Sequence, residues 1–191
     1  MNTRLVGSEM CIRDSYPMKH IDVRKAFTQA TLDEDVYVEQ PHRFAKSGMV
    51  CKLRMALEGL KQSGHLWMKT NSDYLTSQLG FKRSPHDPCL FTKGIERGVV
   101  ILGVYVDDIL CLYSSQEMFD AFWNAYSKRF SCNAPSRVEK FMGVEVTRDN
   151  ENGTISISQR GYIQAMFDKY LSGKHTKQWL VPVASSELAN L

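Results

Sequence analysis

The sequence predicts an α+β fold, an antiparallel sheet with helices packed on one face, and three observations carry that expectation. Two β-rich runs, 99–106 and 109–113, stand only two residues apart, which is hairpin spacing. Two segments, 66–79 and 116–130, place apolar residues at helical spacing. Strand-like and helix-like stretches alternate around that central hairpin, so a sheet layered with helices buries both kinds of apolar surface. Composition sets the outer bounds. The 191 residues are 43% hydrophobic, 24% charged and 10% aromatic, which excludes a disordered tail, a collagen-like fibre and a coiled coil. The longest apolar run ends at two aspartates, far short of the roughly 20 residues that a membrane helix needs.

The elements follow in order. Residues 1–15 show neither periodicity and form a weakly ordered leader; Arg4, Glu9, Arg13 and Asp14 interrupt any apolar stretch of a secretory signal. Residues 16–23 are extended, and 24–30 turn helically. An acidic turn from Leu32 leads into a short strand that stops at Pro41, and 49–53 is a further strand. In the first helix Leu66, Trp67, Tyr74, Leu75 and Leu79 share a face, with Gly80 as its C-terminal stop. Residues 89–93 are strand-like, a charged turn covers 94–98, and the central hairpin follows with Asp107 and Asp108 as its loop. Ser114 or Ser115 caps the second helix, whose Met118, Phe119, Phe122, Trp123 and Tyr126 form a broad buried stripe. Strands at 141–147 and 154–158 flank an Asp-Asn-Glu-Asn-Gly turn. The last helix, 159–171, buries Ile163, Met166, Phe167, Tyr170 and Leu171, and the tail from 173 to 191 is basic and then bland.

Five cysteines, Cys11, Cys51, Cys89, Cys111 and Cys132, are dispersed without a Cys-x-x-Cys pair, a pattern of reduced, mostly buried thiols rather than a zinc site or a disulfide framework. A formal net charge of +3 neither demands nor excludes a nucleic-acid partner.

The adjacent acids Asp107 and Asp108 need an explanation, because apolar strands flank them on both sides. Two neighbouring carboxylates repel, and desolvating either costs several kcal/mol without a compensating cation or donor. A divalent metal supplies that compensation through carboxylate oxygens; a solvated turn, for which aspartate is a common residue, is the competing explanation. Asp22 ends an extended segment and is either a third ligand or a helix N-cap. One acid ending a strand and two at a hairpin tip can supply ligands to a pair of Mg²⁺ ions.

Beyond the acids, a series of blocks runs between residues 21 and 163. They are Asp22-Val23-Arg24-Lys25-Ala26-Phe27, the Leu32 to Pro41 segment, Val50-Cys51-Lys52-Leu53, Gly59-Leu60-Lys61-Gln62 up to Trp67, and Gly80-Phe81-Lys82-Arg83-Ser84 with Asp87. Tyr105-Val106-Asp107-Asp108, Phe141-Met142-Gly143-Val144-Glu145 and a segment from Ile157 to Ile163 complete the series. Each block is weak, but their order and spacing are specific, and together they resemble the reverse transcriptase of copia-type LTR retrotransposons.

The resemblance implies a polymerase palm over 16–147 with the fingers largely missing, a strand and helix leading into a thumb at 148–172, and a Pol polyprotein fragment that begins just before its first catalytic Asp. It implies two Mg²⁺ ions, with Mn²⁺ as substitute, held by Asp22, Asp107, Asp108 and the backbone carbonyl of Val23. The implied reaction joins deoxynucleoside triphosphates to a primer 3′-hydroxyl on an RNA or DNA template, in cytoplasmic particles and without a membrane. Phe27 would select deoxynucleotides by excluding a 2′-hydroxyl, or is simply a core aromatic; Gly59, Lys61 and Gln62 would line the floor under the nucleotide. Gly143 would let the backbone approach the primer, or marks a strand bulge, and Arg160 and Lys169 would track the duplex, or form a solvated helix face. The sequence departs from the family at Glu58, where an aromatic is usual, and at Gly64 and His65, where Pro-Arg is usual. An acid at 58 and the short segment before Asp22 leave a second possibility open: a catalytically inactive retrotransposon remnant that folds as a palm and at most binds nucleic acid weakly.

Overall fold

The computed structural model describes residues 16–95, 98–149 and 151–171; the expected leader and tail lie outside the described residues. A five-stranded sheet is built from β1 (Met18–Asp22), β7 (Asp108–Tyr113), β6 (Gly98–Tyr105), β5 (Leu90–Ile95) and β4 (Lys82–Arg83), in that spatial order and antiparallel throughout. A two-stranded ribbon, β2 (Tyr37–Val38) with β3 (Cys51–Lys52), and a three-stranded sheet of β8 (Lys140–Phe141), β9 (Val144–Asp149) and β10 (Thr154–Ser158) complete the strands. The helices are α1 (Ser63–Asp73, continued by a π turn over Tyr74–Gln78), α2 (Gln116–Arg129) and α3 (Arg160–Tyr170). The mixed α/β character and the antiparallel sheets agree with the expected α+β class. Among the described residues no helix is long and apolar enough to cross a membrane.

Burial alternates along the central strands and shows which face is covered. Val100, Leu102 and Val104 on β6 and Ile109, Cys111 and Tyr113 on β7 are buried, whereas their sequence neighbours are not. Ile21 of β1 and Val23 just beyond its end continue the same face. Against it lie Leu66 and Trp67 of α1 and Phe119, Phe122 and Tyr126 of α2, all in one apolar cluster. Burying a side chain of this size contributes about 1.5–3 kcal/mol. Aromatic rings lock the helices together: Phe130 meets Trp67 edge-to-face at 5.1 Å and Tyr74 at 5.3 Å, and Tyr126 lies 5.0 Å from Phe130. Among the two expected caps, Ser115 is the one used, its hydroxyl accepting from the Met118 N–H. Gly80 follows the first helix at φ +71°, the left-handed conformation that ends a helix without a Cβ penalty.

Five expectations change. The strand of 141–147 is two strands, β8 and β9, because Met142 and Gly143 both take positive φ, 49° and 81°, and form a two-residue hairpin. Gly143 is therefore a turn residue rather than a bulge, and a Cβ there would meet nothing within 4 Å, so its backbone angle is the requirement. The charged turn at 94–98 shrinks, since β5 runs to residue 95 and β6 begins at Gly98. The loop of the central hairpin is Val106–Asp107, with Asp108 already paired to Tyr105 in the ladder. Finally, α3 buries none of its residues: Ile163, Met166, Phe167, Tyr170 and Leu171 are all exposed. Helical periodicity specifies which side of α3 is apolar, but an apolar side becomes core only where another element covers it.

Inside the core the Tyr126 hydroxyl donates to Asn71 Oδ1 at 2.9 Å, and both residues are buried. Tyr126→Phe removes that donor and leaves the amide oxygen unpaired away from water, so the chain should lose about 1–3 kcal/mol of stability. Urea unfolding should show a lower midpoint at an unchanged slope.

Candidate active site

The acids are positioned by strand register. In β1, Asp22 stands between the buried Ile21 and Val23, so its side chain belongs to the opposite face of the sheet. Asp108 precedes the buried Ile109 and shares that face. The β1–β7 register sets Asp22 directly opposite Asp108, and the β6–β7 register sets Tyr105 opposite Asp108 on its other side. Tyr105, Asp108 and Asp22 thus form one rung across three strands, facing away from the helices. Asp107 occupies the exposed tip next to them, and its carbonyl accepts the Val23 N–H at 2.8 Å, tying the tip to the end of β1.

The tip has an unusual backbone. Val106 has φ +52°, a conformation that a β-branched residue rarely adopts. The indole N–H of the buried Trp67 donates to the Val106 carbonyl at 2.6 Å, so α1 holds the turn from below. Such backbone strain costs on the order of 1–3 kcal/mol and persists where the surroundings over-determine the conformation.

Each rung carboxylate has a donor. His20 Nε2 lies 2.8 Å from Asp108 Oδ1, the ring N–H donating to the carboxylate. The Asn133 side-chain amide donates to Asp22 Oδ2, and the Asn133 backbone N–H donates to the Asp22 carbonyl at 2.9 Å. Among the described residues, no group of three or more His, Cys, Asp and Glu side chains is gathered tightly enough to hold a metal ion. The backbone brings Asp22, Asp107 and Asp108 to one corner, while the side chains of Asp22 and Asp108 turn to separate donors. Carboxylates are the donor type that a hard divalent cation takes, but the Asp22 and Asp108 side chains would have to turn from Asn133 and His20 toward each other to share one.

Beside the rung lies a cavity of about 370 Å³ lined by Lys25, Phe27, Leu57, Glu58, Val106 and Asp107. Phe27 and Asp107 were singled out by sequence, and they share this cavity. Glu58, noted only as a departure, puts a second acid into it. Gly59 follows with φ +94°, and Lys61 is exposed; neither lines the cavity, and Gln62 donates instead to Glu34 at 2.8 Å. Gly143, Arg160 and Lys169 lie in the β8–β9 turn and on exposed α3. Burial pushes the Cys132 thiol up to about 11, with the nearby Asp22 carboxylate adding to the shift and Arg24 opposing it, while burial alone pushes Cys111 to about 12. Neither is primed as a nucleophile at neutral pH.

His20 and Trp67 have no catalytic role in the sequence reading, and Asn133 does not figure in it. A signal for His20 was present, since a residue two before Asp22 in an extended segment shares its face. Asn133 lies in an irregular segment after α2, where no periodicity points to it.

A strand-end acid, an acidic hairpin tip and a cavity beside them thus share one corner of the α/β scaffold. Residues 3–183 match the family described as reverse transcriptase (RNA-dependent DNA polymerase), and the chain belongs to that family. It is similar to the retrovirus-related Pol polyprotein from transposon RE1 of Arabidopsis thaliana, 37% identical over 152 residues, which is 78% of this chain and 10% of the relative. It is also similar to that from transposon TNT 1-94 of Nicotiana tabacum, 29% identical over 87% of this chain and 13% of the relative. The Ty1-MR1 Gag-Pol polyprotein of Saccharomyces cerevisiae is 28% identical over 56% of this chain and 6% of its own length. The copia-type resemblance is thereby supported, and the chain spans about a tenth of the length of the first two relatives.

Removing the donor under the tip tests how the turn is held. Trp67→Phe keeps an aromatic side chain but leaves the Val106 carbonyl without its indole partner and part of the buried indole's volume empty, and should lower stability by about 2–4 kcal/mol. Amide exchange at Val23, whose N–H bonds to the Asp107 carbonyl, should accelerate in the same variant.

Proposed function

We propose that this chain forms the palm of an RNA-directed DNA polymerase, adding deoxynucleotides to a primer 3′-hydroxyl along an RNA or DNA template. The observation that carries this is the rung in which Asp22 faces Asp108, with Asp107 at the adjoining tip and the Phe27 cavity beside it. Asp22, Asp107, Asp108 and the Val23 carbonyl would hold two Mg²⁺ ions, or Mn²⁺ in their place. When bound, such ions lower the pKa of the attacking hydroxyl and neutralise charge on the triphosphate. The chain's own residues do the rest. Phe27 presents an apolar wall to the sugar, which favours a deoxyribose over a ribose with its extra hydroxyl. Lys25, on the same cavity wall, supplies positive charge for the phosphates. The β8–β9 turn at Gly143 and the exposed α3 with Arg160 and Lys169 would meet the primer–template backbone through charge and close approach. Gly59, Lys61 and Gln62, the expected floor under the nucleotide, do not line the cavity, and no role in it is proposed for them.

One observation favours the second reading, an inactive remnant. Glu58 and Asp107 line one cavity against a single cation, Lys25, among the six residues named above, and a second acid there opposes a triphosphate. Primer extension on an RNA template with deoxynucleotides and Mg²⁺ or Mn²⁺ separates the two. Under the polymerase reading the chain extends the primer, and Asp107→Asn lowers incorporation by at least about 100-fold while the variant remains folded. No extension by the chain under either metal, with the duplex still bound, decides for the remnant.

The cavity chemistry also predicts a gain. Glu58→Gln removes one negative charge from the nucleotide's surroundings and should lower KM for deoxynucleoside triphosphate about 5- to 10-fold at low salt. The difference should shrink as ionic strength rises, because salt screens exposed charges.

A further inference from the structure

A second cavity, of about 320 Å³, opens on the helix-covered side of the five-stranded sheet, and one of its wall residues is out of place for a core. In β5, Lys93 stands two residues after the fully buried Phe91, and the β5–β6 register sets it directly opposite the buried Val100. Period-two alternation therefore gives this lysine to the face that the rest of the strand buries. Lys93 and Val100 both line the cavity, together with Phe81 just before β4 and Phe122 of α2. Those two rings meet edge-to-face at 5.6 Å and are themselves buried, so the apolar wall is formed before anything enters. Ala121 and Ala125, one helical turn apart on α2, leave space that larger side chains would fill. Gln78, the last residue of the π turn that ends α1, adds the other polar group of the lining.

The charge on that wall is unbalanced. No acid lines the cavity, and among the described residues Lys93 has neither an ion-pair nor a hydrogen-bond partner. Its ammonium lies 5.9 Å from the centroid of the Phe81 ring, so it stays beside the apolar wall. A ring face and access to water make a half-buried lysine tolerable, but neither supplies a counter-charge. We propose that this cavity binds a small apolar anion, an aliphatic or aromatic carboxylate. Its hydrocarbon part would lie against Phe81, Val100 and Phe122, and its carboxylate would meet Lys93. A cavity of this volume is at the small end of those that hold small ligands. An apolar cation would be repelled by Lys93, and a neutral hydrocarbon would cover the ammonium without pairing it. The site lies on the opposite face of the sheet from the Asp22–Asp108 rung, and it does not depend on polymerase chemistry.

Octanoate titrated into the whole chain, with isotope-labelled methionine methyl groups read by NMR, tests this, because Met118 lines the cavity. The Met118 signal should shift saturably, whereas that of Met166 on the exposed apolar side of α3 should not follow it. Lys93→Gln should weaken octanoate about 5-fold and leave octanol, its uncharged analogue, unchanged. That difference should shrink as ionic strength rises. Ala121→Trp places an indole where the ligand would lie and should abolish the Met118 shift. Ala121→Leu, a smaller intrusion at the same exposed position, decides should the tryptophan variant unfold; weakened binding is expected there too. Circular dichroism establishes that each chain compared is folded. A Met118 signal that octanoate does not move, or wild-type octanoate affinity in the folded Ala121 variants, overturns the site. Octanoate and octanol affected equally by Lys93→Gln, or both unaffected, overturns its assignment to an anion.

Discussion

The antiparallel register between β1 and β7 is the constraint on which the rest depends, because it sets an acid near residue 20 directly across from an acid near residue 110. The register is enforced from the other side of the sheet. Ile21, Val23, Ile109 and Cys111 are all buried against the helices, and side chains alternate with a period of two. Sliding β1 by one residue would drive His20 and Asp22 into the apolar core and expose Ile21 and Val23. The hydrophobic core thus fixes the polar face without touching it. A functional face can be specified in this way by residues that take no part in its chemistry.

The hairpin tip shows the same division of labour at shorter range. Val106 in a left-handed conformation is unfavourable locally, and an Asn or Gly would adopt it more readily. The tip nevertheless takes that shape, held by the Trp67 indole from below and by the Val23 N–H from the side. Trp67 in turn is packed edge-to-face on Phe130, so a chain of contacts runs from the aromatic core to the position of Asp107. The observed turn also explains why Asp107 and Asp108 differ. Asp107 is a loop residue exposed at the tip, whereas Asp108 is a strand residue on the rung.

Much of the scaffold was legible from residue pattern. The apolar runs either side of Asp107-Asp108, the Ser115-capped helix with its Phe119, Phe122 and Tyr126 stripe, and the Gly80 stop all appear as expected, because each is written in periodicity or in a local capping residue. The candidate site was legible in its acids and in Phe27, through the spacing of blocks along the chain. Three features were not. The hairpin loop is displaced by one residue, since Asp-Asp is the more turn-like dipeptide but packing of Ile109 requires Asp108 in the ladder. The apolar side of α3 is exposed, since a helical stripe does not state whether anything covers it. Gly143 turns the chain instead of bulging it, because its neighbour Met142 also adopts positive φ.

By itself the sequence determined the class of the fold, the family and the identity of the acidic residues, all of which depend on residue type and spacing along one chain. Only the tertiary structure decided that Asp22 stands opposite Asp108, that Glu58 shares a cavity with Phe27 and Asp107, and that His20 and Asn133 hold the carboxylates. These are relations between segments far apart in the chain. They arise from strand register and from the segment after α2 that bonds to the edge of β1, which are settled when the apolar face is buried and which leave no mark in local pattern.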